Sequence, residues 1–347
     1  MTSDPVARYL SLRGSKTLVA SRLRPMTAGE IIDASLRLYQ QLGLSFLRLT
    51  VVPALLCLSA VAFVMVYVLP GLLYSQDNGE FSRHIADVAL AILMAVFFGG
   101  PLFMTGLSYT TALVVSLVSD YMVGNAVDPG AAQEVARRAQ PRLLLVTFRE
   151  LLLSLSGILV AGAVTLLGEW LTKMTPETSA TGGIVVLLGL FGVFGGFMIC
   201  LSVLASDALV APVTVLEDLG PKMAGKRARA LMKKVPFHGP GTAAVWSVYI
   251  LIGFMVVVLW GGIEICFSVL EVPGHFHGLT SGLPLQPIFQ KALELLPAFI
   301  AIWTVIPVWA TTVTMLYYDR RIRLEGFDIE ILGRDLARSS RTSRFEL

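Results

Sequence analysis

Three carboxylates stand where carboxylates are costly. Glu150, Asp207 and Glu264 fall within or at the edge of long apolar segments, and Asp120, Glu217 and Asp218 lie near the ends of others. An ionised side chain in hydrocarbon needs a partner, water or a proton, so such positions mark substrate pathways and proton relays when they mark anything. Each also has a plainer role. Asp207, in Ala205-Ser206-Asp207-Ala208, would be satisfied inside a helix bundle by a hydroxyl or an arginine. Glu150 follows Arg149 and can pair with it or with Arg142 as an anchor. Glu264, in Trp260-Gly261-Gly262-Ile263-Glu264, lies within two turns of a segment end and can reach water there. Asp207 and Glu264 are the intramembrane polar candidates.

His275 and His277, in Gly274-His275-Phe276-His277-Gly278 with Glu271 nearby, are of the types that bind zinc or copper. A His-x-His pair in a glycine-rich loop is more often ordinary loop polarity, so no metal and no cofactor is assigned. Cys57, Cys200 and Cys266 sit singly in apolar runs without CxxC spacing and read as small core hydrophobes. No phosphate-binding loop, GxSxG, HExxH or dinucleotide fingerprint occurs. No catalytic residue is assigned, and an enzyme is not expected.

The elements that must position these residues are set by composition. Hydrophobic residues make up 55% of the 347 and charged ones 15%, with a mean hydropathy of +0.73, against about 45–50% apolar and about 25% charged in soluble domains. Apolar runs of 20 or more residues span roughly 30 Å as helix, enough to cross a bilayer core. The expected fold is therefore an all-α integral membrane protein with six transmembrane helices. The spans are expected near 49–73, 86–123, 143–171, 183–204, 243–269 and 295–317. Gly99-Gly100-Pro101 interrupts the second, where proline removes an amide and crowds the preceding turn, so a kink or break is expected. Gly189, Gly192 and Gly196 line one side of the fourth and permit close helix approach, within the monomer or in a dimer.

Charge placement predicts the orientation. Of the 27 lysines and arginines, all but Arg83, Lys173 and Lys291 fall on one side of these spans. By the positive-inside rule both termini are cytoplasmic, and the bacterial inner membrane is the expected location. The first forty residues are polar and basic, and no cleaved signal peptide is expected. Residues 1–25 form an N-terminal segment, 26–333 the membrane domain and 334–347 a basic tail.

An amphipathic stretch precedes each pair of spans, which suggests three repeats of interfacial helix plus two spans. The first opens with Thr27 and Glu30 at capping-box spacing. The second opens with Asp128-Pro129, a cap residue and a proline at the first helical position. The third runs from Pro221 to Lys234. Their basic residues would meet anionic headgroups or a partner, and Arg137, Arg138, Lys226, Arg227, Arg229, Arg321 and Arg323 are the candidate binding residues. Nucleic acid is not an expected partner, because these clusters lie within a turn or two of the spans.

Leu23-Arg24-Pro25-Met26-Thr27-Ala28-Gly29-Glu30-Ile31-Ile32-Asp33, leading into Leu36-Arg37-Leu38-Tyr39, resembles the opening of bacterial proteins named for the glycerophosphoryl diester phosphodiesterase membrane domain. The stretch Tyr317-Tyr318-Asp319-Arg320-Arg321, continuing through Glu325-Gly326-Phe327-Asp328, resembles that family's closing motif. Glu217 and Ala228-Arg229-Ala230-Leu231 resemble its third cytoplasmic helix. The resemblance implies a six-span bundle of unassigned activity, without the soluble catalytic barrel that carries the phosphodiesterase chemistry. Asp319, Arg321, Arg323, Glu325 and Asp328 form the densest charge cluster. They suggest a salt-bridged clasp between the last span and the opening helix, or a site for phosphorylated headgroups.

The leading functional expectation is a non-enzymatic scaffold or accessory subunit that binds a protein partner or anionic lipid at the cytoplasmic face, with self-association as a further option. The alternative is a transporter or channel for a small solute or lipid. A cavity reaching Asp207 or Glu264 would favour the alternative, and a closed bundle with a free basic collar the scaffold.

Overall fold

The computed structural model describes residues 24–68, 94–125, 127–174, 176–233, 242–272 and 286–330. The His275–His277 loop, most of the N-terminal segment and the whole 334–347 tail lie outside these described residues. Eight α-helices are seen among them: α1 Ala28–Phe63, α2 Gly100–Val123, α3 Pro129–Met174, α4 Pro176–Ser206, α5 Val210–Leu216, α6 Pro221–Lys233, α7 Thr242–Val269 and α8 Gln286–Glu325. Five segments are long and apolar enough to cross a membrane, six when the two parts of α3, bent by 41° between Ser154 and Ser156, count as one span. No strand occurs among the described residues. The chain is an all-α membrane protein.

Helix starts follow local chemistry. The Thr27 amide donates to Glu30 Oε2 at 2.8 Å and the Glu30 amide to Thr27 Oγ1 at 3.3 Å, the reciprocal box expected from the spacing. Asp128 Oδ1 accepts the Gly130 amide at 2.8 Å ahead of α3, with Pro129 at the first helical position. Where a kink or break was expected, the helix continues: the backbone winds as a π-helical turn over Ala95–Gly99 and passes through a helical Gly99 (φ −65°, ψ −47°) into α2 at Gly100-Pro101.

The amphipathic stretches depart from the expected plan. The first two run without interruption into the following spans, giving α1 its 36 residues and α3 its 46. Only the third, α6, stands apart from the span after it. Pro236, Gly239, Pro240 and Gly241 separate α6 from α7 in the sequence, and no such cluster of breakers follows the first two stretches.

The central helix is α2, packed by α1, α3 and α8, and its Ala112–Val118 stretch is buried all round. It crosses α1 at Gly106, where a β-carbon would collide with the Pro53 carbonyl and the Cys57 sulfur. Helices α3 and α4 form the tightest pair. Gly157 and Gly196 meet backbone to backbone, and Gly189 lies against Thr165. The glycine face of the fourth span is thus used within the monomer. On the outside, α4 exposes Phe191 and Phe194, and α7 exposes Ile250 and Phe254. A surface this apolar has lipid as its solvent. Cys57 is buried and Cys200 half-buried, but Cys266 is exposed on this apolar surface and does not join the core.

Candidate functional site

One end of the bundle collects the arginines, and ion pairs there tie four helices together. Of the clasp suggested by sequence, Asp319 and Arg323 hold the residue ahead of α1, whereas Arg321 and Glu325 turn towards α6. Asp319, wholly buried on α8, accepts the Met26 amide at 2.8 Å and Arg323 Nε at 2.9 Å, while Arg323 Nη2 donates to the Met26 carbonyl at 2.7 Å. Beside it, Arg227 of α6 pairs with Glu217 at 3.0 Å and with Glu325 of α8. Tyr317 donates to Glu217 Oε1 at 3.0 Å, and Arg321 pairs with Glu325 at 3.0 Å while lying 4.1 Å from the centre of the Phe327 ring.

Helix α6 is held to α3 as well. Arg142 of α3 pairs with Asp218 and donates to its carbonyl at 3.0 Å. Asp218 adopts the left-handed conformation, φ 54°, that turns the chain into α6. Arg149 donates to the Pro221 carbonyl at 3.2 Å and lies over Gly225. With Arg142 and Arg149 so engaged, the anchoring pair expected for Glu150 does not form.

Asp207 occupies the break between α4 and α5, where the chain leaves the helix for three residues. Arg229 of α6 grips it with both arms of its guanidinium, Nε at 2.7 Å and Nη2 at 2.8 Å. The carboxylate side chain is 2% exposed and the arginine 43%, so the pair reaches from the interior to the surface. The hydrogen bonds that Arg229 donates to Asp207 hold its proton more tightly and raise its pKa above the ordinary arginine value.

Behind this pair lies a cavity of about 380 Å³ between α2, α3, α4, α7 and α8. Glu150 and Asp207 line it near the basic end. Its deep end is formed by Phe103 and Leu107; Phe103 lies roughly 30 Å along α2 from Val123 at 1.5 Å per residue. Most of its wall is apolar, and its hydroxyls are already committed as donors. Thr111 donates to the Leu107 carbonyl at 2.8 Å, Thr147 to Leu143 at 2.8 Å, Ser154 to Leu151 at 3.0 Å and Tyr249 to Leu204 at 2.9 Å. Glu150 Oε1 is buried with no hydrogen-bond partner. Those hydroxyls therefore turn lone pairs, not protons, towards the cavity.

The other sequence candidates are dispersed. Glu264 is exposed on α7 and does not line this cavity. Arg227, Arg229, Arg321 and Arg323 are spent on Glu217, Asp207, Glu325 and Asp319. Arg138 pairs one turn away with Glu134, while Arg137 and Lys226 are exposed. Among the described residues no group of histidine, cysteine, aspartate and glutamate could hold a metal ion. Sequence reasoning missed two positions. Glu150 was read as an anchor, and Arg320 was not singled out from its neighbours. A signal for Arg320 exists: Val313 and Leu316 place it on an apolar face of α8 at spacings of seven and four.

Compared with protein-family models, with curated proteins and with solved structures, the chain matches none.

Proposed function

We propose that the chain is a membrane carrier for a small amphiphilic molecule, a lipid or lipid-like solute, which it accepts into the cavity at Glu150. The observation that carries this is the unpartnered, buried Glu150 Oε1 in a cavity whose hydroxyls have given their protons to the backbone. An acceptor left alone in such a place costs free energy, and a ligand head that donates hydrogen bonds recovers it. An apolar tail suits the rest of the wall, from Leu151 to Phe103. The lysine and arginine asymmetry supports a bacterial inner membrane location with both termini cytoplasmic. In that orientation the cavity opens its polar end at headgroup depth in the inner leaflet, as an amphiphile would lie. The three amphipathic stretches and the end motifs support a threefold repeat and kinship with the phosphodiesterase membrane-domain proteins.

The test is reconstitution into vesicles bearing fluorescent lipid analogues with different headgroups, each assayed for the rate at which inner-leaflet label reaches an external quencher. A carrier raises the rate for at least one amine- or hydroxyl-bearing headgroup, and Glu150→Leu abolishes the increase. No increase over protein-free vesicles for any headgroup sinks the carrier reading.

Arg137 and Lys226 support a second reading. Both are exposed and outside the ion pairs described above, so an accessory subunit could dock a protein partner or anionic lipid there. Reversing both charges should then release a co-purifying partner.

A further inference from the structure

Asp207 and Glu150 both line the cavity, but they stand differently in it. Asp207 has both carboxylate oxygens engaged by Arg229, whereas Glu150 Oε1 is buried with no hydrogen-bond partner. No arginine, lysine or histidine stands among the described residues that line the cavity. Arg149, the residue before Glu150 on α3, points about 100° away around the helix and reaches the Pro221 carbonyl at 3.2 Å.

The charged groups that act on Glu150 are Asp207 at the break between α4 and α5, Arg149 on its own helix and Arg229 of α6. Helices α2, α7 and α8 bring only Ser108, Thr111, Tyr249 and Trp309 as polar neighbours to the cavity wall. With Glu150 ionised, the two carboxylates and the two guanidiniums balance. A proton on Glu150, or a monovalent cation beside it, adds the same single positive charge, so either can replace the other with no change in buried charge. A neutral hydroxyl head answers the lone pair but puts no cation in contact, and a carboxyl group enclosed by apolar walls holds a proton unless a cation touches it. A cationic head with N–H groups supplies both the hydrogen bond and the charge, and a cavity of about 380 Å³ has room for it.

We propose that Glu150 is a proton–cation exchange site, which holds either a proton or the cationic N–H head of an amphiphile, an ammonium or a guanidinium. As the head enters, the carboxyl O–H bond breaks, the proton leaves to water, and the carboxylate pairs with the head; release of the head on the other side restores the proton. The ligand keeps its own charge throughout, and one proton moves against each cation. Asp207 stays paired with Arg229 and takes no part in the exchange. This inference rests on the carrier reading above and specifies what that carrier moves and what drives it.

The test uses the full chain in vesicles with an acidic lumen and a trapped pH indicator, valinomycin and equal potassium holding the membrane potential at zero. Dodecylguanidinium, whose head stays charged at any working pH, is added outside, and 1-dodecanol serves as the neutral probe of equal chain length. Wild type should raise the luminal pH with dodecylguanidinium and not with 1-dodecanol. Glu264→Gln, which alters an exposed carboxylate outside the cavity, should behave as wild type, and Glu150→Gln should respond at least tenfold more slowly. If Glu150→Gln does not fold, Glu150→Asp keeps the carboxylate but draws it back by one methylene and should slow the exchange severalfold. Equal rates in wild type and Glu150→Gln overturn the proposal. If wild type moves labelled lipid in the quenching assay above but leaves the luminal pH unchanged, the exchange is wrong and the carrier reading stands. If it does neither, both fall.

Discussion

Asp319 and Arg323, one helical turn apart on α8, grip Met26 by both of its backbone groups: the carboxylate accepts its amide at 2.8 Å and the guanidinium donates to its carbonyl at 2.7 Å. The first described helix of the chain is thereby pinned to the last. Charge-assisted hydrogen bonds of this kind contribute about 1.5–3 kcal/mol each. Asp319→Ala should accelerate hydrogen exchange at the Met26 amide by about 10- to 100-fold, since a loss of 1.4 kcal/mol is a factor of ten. Exchange in the middle of α2 should change far less. An unchanged Met26 amide would mean that the clasp does not hold the start of α1.

The Asp207–Arg229 pair invites a double-mutant cycle. Arg229→Ala leaves a carboxylate that is 2% exposed without its partner, at a cost on the order of 3 kcal/mol. Adding Asp207→Asn removes the stranded charge and should recover at least half of that loss. The measurement is thermal or denaturant unfolding in detergent or nanodiscs. Additive effects of the two substitutions would show that they do not act as a pair.

Two adjacent glycines on α4 should respond in opposite ways. A β-carbon at Gly196 would lie 2.6 Å from the Gly157 carbonyl carbon, whereas one at Gly195 would meet nothing within 4 Å. Gly196→Ala must push α3 and α4 apart and should cost about 1–3 kcal/mol. Gly195→Ala should be neutral or stabilising by up to about 1 kcal/mol, because alanine is the better helix former. Thermal midpoints of the two variants settle it.

Features with a local cause were legible in the sequence. The Thr27–Glu30 box and the glycine face of α4 each depend on a few neighbouring residues, and each is present, whereas at Gly99-Gly100-Pro101 the winding changes from π to α without leaving the helix. Asp207 was legible as a buried carboxylate in need of a hydroxyl or an arginine, though that Arg229 fills the role depends on α6 folding back across α4. Glu150 was not legible. Its expected partners, Arg142 and Arg149, are drawn away by Asp218 and the Pro221 carbonyl, more than seventy residues later in the chain. Arg320 was hidden among Arg321 and Arg323, since adjacent residues on a helix face different surroundings and only tertiary packing decides which of them is enclosed.

Occupancy of the Glu150 cavity is best tested by photo-crosslinking in native membranes, with a benzophenone side chain at Thr147 inside the cavity and at exposed Phe194 on α4 as the control. A chain that carries an amphiphile there gives a defined adduct at Thr147 that is absent at Phe194 and lost when Glu150→Leu is added. Adducts at both positions that simply mirror the bulk lipid composition, unchanged by Glu150→Leu, would contradict it.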